Sequence, residues 1–145
     1  MGLDKKKSNI PLEILIVDDD FCGRRYLQRM LEDYGECDIA VNGKEAIEAY
    51  EQSLKEEFAY DLICLDLLMP VMDGYETLKR IRALEDARGI YGKNCVKVII
   101  TSALDDKKSM LSAYSKGCES YITKPVDKKK LLQTLNELGL VHSQE

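Results

Sequence analysis

Carboxylate, hydroxyl and amine side chains each follow a short apolar segment of the chain. Asp18 to Asp20 follow the run ILIV, and Asp66 follows the run LICL. Ser102 and Lys124 stand in the same position after two later apolar runs. Clustered carboxylates repel one another unless a cation lies among them, and oxygen ligands without a nearby histidine or cysteine favour Mg²⁺. These residues therefore predict a magnesium site.

The same residues could accept a phosphoryl group. Transfer of this group to a carboxylate needs an in-line nucleophile and neutralisation of the phosphoryl oxygens. Asp66 would be the nucleophile, Lys124 would add a positive charge beside that of Mg²⁺, and Ser102 would donate a hydrogen bond. With Asp18, Asp19 and Asp66 ionised, one Mg²⁺ and one lysine cancel their charge, so a phosphoryl anion can enter the pocket.

Each of these residues also has a simpler interpretation when it is taken alone. An acidic triplet before a helix is more often a helix cap, and an aspartate after a strand is usually a turn residue. Ser102 could be another cap, and a lysine before a proline is usually a solvated surface residue. Only their joint placement after strands favours the functional interpretation.

The elements that position these residues alternate between apolar strands and amphipathic helices. This alternation predicts an α/β fold, (βα)5, with a parallel sheet covered on both faces. Right-handed crossovers bring the carboxyl ends of such strands to one edge, where ligands bind. Strands are expected at Glu13–Val17, Cys37–Val41, Leu62–Leu65, Val96–Thr101 and Ser120–Thr123. Helices are expected at Cys22–Tyr34, ending at Gly35, at Lys44–Glu56, from Asp73-Gly74 to Leu84, from Asp105-Asp106 to about Gly117, and from Asp127 to Leu138.

The composition is that of one acidic domain. The chain has 145 residues, 45% of them hydrophobic, and a net charge of −5, which argues against nucleic acid or acidic lipid as a partner. We expect a domain at 11–140 with tails at 1–10 and 141–145. No signal peptide or membrane-length apolar run is present, so a cytoplasmic protein is expected. Five cysteines without a CxxC pair predict reduced thiols, mostly in the core.

Two segments fall outside this pattern. The stretch EDARGIYGKN, Glu85 to Asn94, is a long glycine-bearing connection before the fourth strand, and we expect it to be exposed and mobile. His142 lies in the C-terminal tail, outside any helical pattern, and no phosphorelay role is expected for it.

Four stretches of the sequence resemble the receiver domains of bacterial response regulators. They are IVDDD at 16–20, DLICLDLLMPVMDG at 61–74, VIITSA at 98–103 and YITKPV at 121–126. The resemblance implies a doubly wound, flavodoxin-like sheet of five parallel strands in the order 2-1-3-4-5. It also implies a two-component phosphorelay module rather than an enzyme that turns over a small substrate. The implied phosphoryl donor is a sensor histidine kinase or a histidine phosphotransfer protein.

The resemblance implies a role for each residue of the pocket. Asp66 resembles the phosphoacceptor, and Lys124 resembles the lysine that binds the phosphoryl group. Asp19, Asp66 and the backbone carbonyl of Leu68 resemble the direct Mg²⁺ ligands, and Asp18 resembles the neighbour that reaches the ion through water.

The resemblance further implies a conformational switch. Ser102, rather than Thr101, occupies the position of the switch hydroxyl, and Tyr121 resembles the switch aromatic residue. Phosphorylation is then expected to draw Ser102 inward and to move Tyr121 from an exposed to a buried position. A downstream protein would read the face made by helix 4, strand 5 and helix 5. The Lys124-Pro125 peptide bond is commonly cis in this family.

The sequence departs from the family at two positions that concern kinetics. Leu68 and Leu104 stand two residues after Asp66 and Ser102, where faster-hydrolysing members tend to carry polar or acidic residues. A long-lived phosphorylated form is therefore expected.

Three alternatives remain open at this point. Asp18-x-Asp20 and Asp105-Asp106 superficially fit an aspartate-nucleophile phosphohydrolase of the haloacid dehalogenase type, although that family places its lysine before the last acidic pair and Lys124 comes after it. A flavodoxin-like FMN carrier would need a phosphate loop without the aspartates, which repel phosphate. A receiver that is not phosphorylated is the third.

Overall fold

A computed structural model describes residues 11–56 and 58–141 of the chain. The expected N-terminal tail and His142 lie outside the described residues. Within them the chain forms five strands that pair in parallel in the order β2-β1-β3-β4-β5. The fold class and the strand order are therefore confirmed. The strands are β1 (Leu12–Val17), β2 (Gly35–Ala40), β3 (Leu62–Asp66), β4 (Lys97–Ser102) and β5 (Ser120–Thr123).

Five α-helices cover the sheet, and a short polar side chain caps each of them at its N-terminus. In every case the capping oxygen accepts a hydrogen bond from the backbone N–H three residues later, which satisfies one of the free donors of the first turn. Asp20 caps the first helix in this way. The helices are α1 (Phe21–Leu31), α2 (Gly43–Lys55), α3 (Gly74–Ala87), α4 (Lys107–Ser115) and α5 (Lys128–Glu137), and their caps are Asp20, Asn42, Asp73, Asp106 and Asp127.

Two hydrophobic clusters lie on opposite faces of the sheet. Because successive strand residues point to opposite faces, Ile99 belongs to one cluster and Ile100 to the other. The cluster of Ile99 includes residues of α1 and α5, and we call its side of the sheet the α1/α5 face. The cluster of Ile100 includes residues of α2, α3 and α4, and its side is the α2–α4 face. No helix among the described residues is long and apolar enough to cross a membrane.

The connection between α3 and β4 differs from the expectation at its first residue. Helix α3 continues to Ala87, and Glu85 is 1% exposed. Its carboxylate accepts hydrogen bonds from the hydroxyl of Tyr50 at 2.6 Å, from the backbone N–H of Val96 at 2.7 Å and from Arg82 at 2.8 Å. A carboxylate with three donors can be buried, so the prediction of an exposed Glu85 was wrong. The residues at 86–94 are largely exposed, as expected.

The expectation for Gly35 was wrong, whereas that for the cysteines holds. Gly35 does not end a helix but begins β2, where a Cβ atom would lie 2.1 Å from the backbone oxygen of Leu12 on β1. Three of the five cysteines contribute to core packing, as expected, since Cys64 and Cys118 are buried and Cys37 packs against the cluster of the α1/α5 face. Cys22 lies on the outer side of α1, and Cys95 lies in the connection before β4. The exposed or partly exposed cysteines are Cys22, Cys37 and Cys95.

Candidate functional site

Three aspartates meet at the carboxyl ends of β1 and β3. Asp18 stands two residues after Ile16, and Asp66 two residues after Cys64, so both follow strand positions of the α1/α5 face. One carboxylate oxygen of each of Asp18, Asp19 and Asp66 lies within 4.8 Å of the others. Asp18 and Asp66 are buried, whereas Asp19 is exposed to solvent. The convergence expected from the sequence is present.

Lys124, which follows the edge strand β5, completes this group. Its ammonium nitrogen lies 3.0 Å from Oδ2 of Asp18 and 3.4 Å from Oδ2 of Asp66. The next peptide bond, Lys124-Pro125, is cis. The lysine is thus an ion-pair partner of two buried carboxylates and not a solvated surface residue.

Burial and nearby charges both act on the pKa values of Asp66 and Lys124, and each of these values is raised. Burial, together with the negative charge of Asp18, raises the pKa of Asp66 to about 6, although Lys124 and the N–H of Leu68 act to lower it. Burial alone would lower the pKa of Lys124, but its hydrogen bonds to the two carboxylates and their charges outweigh it, so this pKa is raised. The pocket therefore holds a firmly protonated lysine beside a carboxyl group that takes up a proton more readily than an ordinary aspartate.

Backbone groups fix the two buried carboxylates. The N–H of Asp20 donates to Oδ1 of Asp18 at 2.9 Å, and the N–H of Leu68 donates to Oδ1 of Asp66 at 3.2 Å. The start of α3 packs directly on this loop, since a Cβ atom at Gly74 would lie 2.4 Å from the backbone oxygen of Asp66. Only glycine allows so close an approach.

The donor atoms present fit Mg²⁺ better than a transition metal. The group offers carboxylate and backbone oxygens, and none of its three acidic members is accompanied by a histidine or a cysteine ligand. Asp19 is open to solvent, so an ion held there can keep several of its waters, as Mg²⁺ does.

The family of the chain follows from comparison with known sequences. The sequence model described as "Response regulator receiver domain" matches residues 14–136, which is most of the chain. The chain belongs to the response regulator receiver domain family. It is 34% identical over 133 residues to the chemotaxis protein CheY of Treponema pallidum, covering 90% of this chain and 85% of that protein. It also spans 55% of the probable transcriptional regulator ycf29 of Porphyra purpurea, at 32% identity over 86% of this chain.

Solved structures agree with this assignment. A chain in the CheX-CheY-BeF3-Mg²⁺ complex from Borrelia burgdorferi matches with a TM-score of 0.77 and 29% identity, covering 90% of both chains. A chain in the complex of the Saccharomyces cerevisiae histidine phosphotransfer protein Ypd1 with the receiver domain of Ssk1 matches with a TM-score of 0.76 and 28% identity, covering 89% of both. The chain is thus a receiver domain of two-component signalling proteins, and the alternative of a dehalogenase-type phosphohydrolase finds no support.

The two expected switch residues of the receiver lie on the other face of the sheet. Ser102 stands two residues after Ile100, and Tyr121 belongs to the cluster of the α2–α4 face. The Ser102 hydroxyl accepts a hydrogen bond from the N–H of Leu104 at 3.1 Å, and the Leu104 carbonyl accepts one from the Tyr121 hydroxyl at 2.7 Å. The Tyr121 ring is 7% exposed, so the structure contains its buried position only. Sequence reasoning treated Leu104 as a side chain and missed this backbone bridge.

Proposed function

We propose that this receiver accepts a phosphoryl group on Asp66, in the presence of Mg²⁺, and thereby changes its affinity for a partner protein. The observation that carries this proposal is that a carboxylate oxygen of Asp18 and one of Asp66 both lie within 3.4 Å of the Lys124 ammonium nitrogen. A buried carboxylate next to a fixed ammonium group is suited to nucleophilic attack on phosphorus.

The transfer step forms one bond and breaks another. An Oδ atom of Asp66 attacks the phosphorus of a phosphohistidine, forming a P–O bond, while the P–N bond breaks and its electron pair returns to the imidazole, which then takes up a proton. Lys124 holds its positive charge beside the phosphoryl oxygens during this step. The signal ends by hydrolysis: water attacks the phosphorus, the Asp66 carboxylate leaves and inorganic phosphate is released.

The residues that would hold Mg²⁺ are Asp19 and Asp66 directly, the backbone carbonyl of Leu68, and Asp18 through water. The ion, when bound, supplies positive charge that offsets the negative charge of the carboxylates and of the phosphoryl oxygens. Asp19 suits direct contact because it is exposed, and Asp18 suits indirect contact because it is fully buried and is the nearer partner of Lys124, at 3.0 Å against 3.4 Å for Asp66.

The signal would leave the pocket through Ser102 and Tyr121. A phosphoryl oxygen would accept a hydrogen bond from the Ser102 hydroxyl, whose oxygen accepts one from the Leu104 N–H, so a shift of Ser102 would move the loop whose Leu104 carbonyl holds Tyr121. Leu111 and Tyr114 on α4 are exposed beside this region. We propose the face made by α4, β5 and α5 as the surface that a downstream protein reads.

The proposed phosphoryl donor is a sensor histidine kinase or a histidine phosphotransfer protein in the cytoplasm. Support comes from the yeast complex, in which a histidine phosphotransfer protein is bound to a receiver domain, and from the fold that this chain shares with a chain of that complex. The receiver itself would assist its own phosphorylation and dephosphorylation but would not turn over a small substrate.

Phosphorylation with acetyl phosphate tests the central proposal. With Mg²⁺ present, intact-mass measurement should show one added phosphoryl group, which EDTA and Asp66→Asn abolish. Asp73→Asn is a matched control, because Asp73 lies in the same loop and caps α3, a role that asparagine also fills. Labelling that persists in Asp66→Asn would refute the assignment of the phosphoacceptor.

The switch needs a separate test. Structures of the unmodified and beryllofluoride-bound protein should differ in the hydrogen bonds of Ser102 and in the χ1 angle of Tyr121. If both residues keep the same positions while a partner still distinguishes the two forms, the switch lies elsewhere in the domain.

A further inference from the structure

A buried hydroxyl without a partner lies next to the proposed site. Thr101 is fully buried, and its Oγ1 is the buried side-chain atom among the described residues that makes no hydrogen bond. A buried hydroxyl without a partner destabilises the folded state, so such a group calls for a physical explanation.

Strand alternation places Thr101 on the same face as the site. Thr101 stands two residues after Ile99, a member of the cluster on the α1/α5 face. Three residues of the site stand in the same relation to members of that cluster: Asp18 to Ile16, Asp66 to Cys64, and Lys124 to Ile122. The strands β1, β3, β4 and β5 thus each place one side chain at this edge, in the order Asp18, Asp66, Thr101 and Lys124. Among these four side chains, that of Thr101 alone makes no hydrogen bond.

The pairing of the strands brings Thr101 close to both Asp66 and Lys124. Thr101 is paired with Asp66 of β3 on one side and with Ile122 of β5 on the other. Because β4 lies between β3 and β5, the side chain of Lys124 must cross the end of β4 to reach Asp66. Thr101 is the last β4 residue that points to the face on which this crossing takes place.

The donors of Lys124 show what the hydroxyl could do. An ammonium group has three N–H donors, and Asp18 and Asp66 accept two of them here. When Asp66 becomes an acyl phosphate it loses its charge, and a phosphoryl oxygen replaces it as the acceptor. The third donor has no acceptor among the described residues, and the unpartnered Thr101 hydroxyl lies on the face that the lysine side chain crosses.

We propose that Thr101 is a positioning residue of the phosphorylated receiver, whose hydroxyl accepts a hydrogen bond from Lys124 once the phosphoryl group is in place. This inference rests on the proposed phosphorylation of Asp66 and adds a residue to it. In the phosphorylated form the three acceptors of Lys124 are Asp18, a phosphoryl oxygen and Thr101. The hydroxyl acts through the lysine and does not itself touch the reacting atoms.

The contrasting explanation is that Thr101 is present only as a β-branched strand residue. Valine has the same shape and a similar preference for strands, and it would remove the unpartnered oxygen. The two explanations therefore make opposite predictions for Thr101→Val, while Thr101→Ser keeps the hydroxyl and loses a buried methyl group.

The test compares wild type, Thr101→Val and Thr101→Ser by thermal unfolding without Mg²⁺ and by titration with beryllofluoride at saturating Mg²⁺. Thr101→Val should unfold at the same or a higher temperature than wild type but bind beryllofluoride about fivefold more weakly, the effect of one lost hydrogen bond. Thr101→Ser should show the reverse pattern, with a lower unfolding temperature and wild-type binding.

The outcomes separate this inference from the proposed function. Equal beryllofluoride binding by wild type and Thr101→Val would overturn the role of Thr101 and leave the phosphorylation of Asp66 intact. A lower unfolding temperature for Thr101→Val would also overturn it, because the hydroxyl would then be bonded before phosphorylation. Failure of the wild-type protein to bind beryllofluoride would overturn both.

Discussion

The ammonium nitrogen of Lys124 lies 3.0 Å from Oδ2 of Asp18, a residue that is fully buried at the end of β1. Its distance to Asp66 is longer, at 3.4 Å. Lys124 is therefore anchored on Asp18, and Asp66 remains the more available of the two carboxylates. Asp19, which is exposed, makes no comparable ion pair among the described residues.

This difference predicts opposite effects for Asp18→Ala and Asp19→Ala. Asp18→Ala leaves a half-buried lysine without its main partner and should lower the free energy of unfolding by about 3 kcal/mol in urea. Asp19→Ala should leave the stability of the metal-free protein unchanged. It should weaken Mg²⁺ binding more strongly than Asp18→Ala does, as measured by calorimetric titration. Equal losses of Mg²⁺ affinity in the two variants would contradict the assigned roles.

The raised pKa of Asp66 predicts that Mg²⁺ binding depends on pH. Burial raises this pKa from 3.8 to about 6, so below pH 6 a proton competes with the ion for the carboxylate. The apparent Mg²⁺ affinity should fall about tenfold for each pH unit below that value. Calorimetric titrations between pH 5 and pH 8, at about one-unit steps, would measure it, and a flat profile would contradict the shift.

The same shift has the opposite sign for the stability of the metal-free protein. Because the folded state binds the Asp66 proton more tightly than the unfolded state, the contribution of Asp66 to stability falls as pH rises from about 4 to about 6. Asp66→Asn should therefore be more stable than wild type at neutral pH, by about 1–3 kcal/mol, and equally stable near pH 4. Urea unfolding at both pH values compares the two proteins.

The buried carboxylate of Glu85 predicts a large loss of stability on its removal. Glu85→Ala leaves the Tyr50 hydroxyl and the Val96 N–H buried without an acceptor, at about 1–3 kcal/mol each, and removes one of the acceptors of Arg82, so it should lower the free energy of unfolding by about 3–5 kcal/mol. Glu76→Ala on the same helix is the control, since its pair with Arg80 is exposed and its removal should leave the urea midpoint unchanged. Similar midpoints for Glu85→Ala and Glu76→Ala would show that the buried network does not hold α3 in place.

The two leucines beside the pocket predict slow loss of the phosphoryl group. Leu68 is 53% exposed and free to affect the entry of water, whereas Leu104 is partly buried against the cluster of the α2–α4 face. Polar or acidic replacement of both should speed dephosphorylation, with most of the gain from Leu68→Glu. Replacement of Leu104 should also cost stability. Release of phosphate after removal of acetyl phosphate measures the rate.

Leu111→Glu provides the control for these rates. Leu111 is a similarly exposed leucine on α4, away from the carboxylates, and its replacement should leave the lifetime unchanged. A rate for Leu68→Glu that is no faster than that of wild type would count against the explanation.

Much of the fold was predictable because its signals are local. The buried strands are nearly continuous apolar runs, and each helix begins at an aspartate or asparagine cap. The carboxylates and the lysine could be placed together because parallel strands share an edge. The sequence predicted Gly35 at the end of a helix, but it begins a strand. This position was not predictable, since it depends on a close contact with Leu12.

Other features depend on residues that are far apart in the sequence. Glu85 has the composition of a loop around it, and only its bonds to Tyr50 and Val96 make it a buried residue. The missing partner of Thr101 likewise has no signal in the sequence, because a threonine at a strand end is ordinary. Such features follow from what surrounds a side chain in three dimensions.

Thr101 and Ser102 are consecutive residues whose hydroxyls point to opposite sides of one sheet. A single peptide unit thus separates the α1/α5 face, where the acyl phosphate would form, from the α2–α4 face, where its presence would be sensed. Point substitutions can alter either face alone, so this arrangement allows the partner specificity to change during evolution while the chemistry is kept. Insertion or deletion of one residue in β4 would exchange the two hydroxyls, and lineages should tolerate length changes there far less than substitutions.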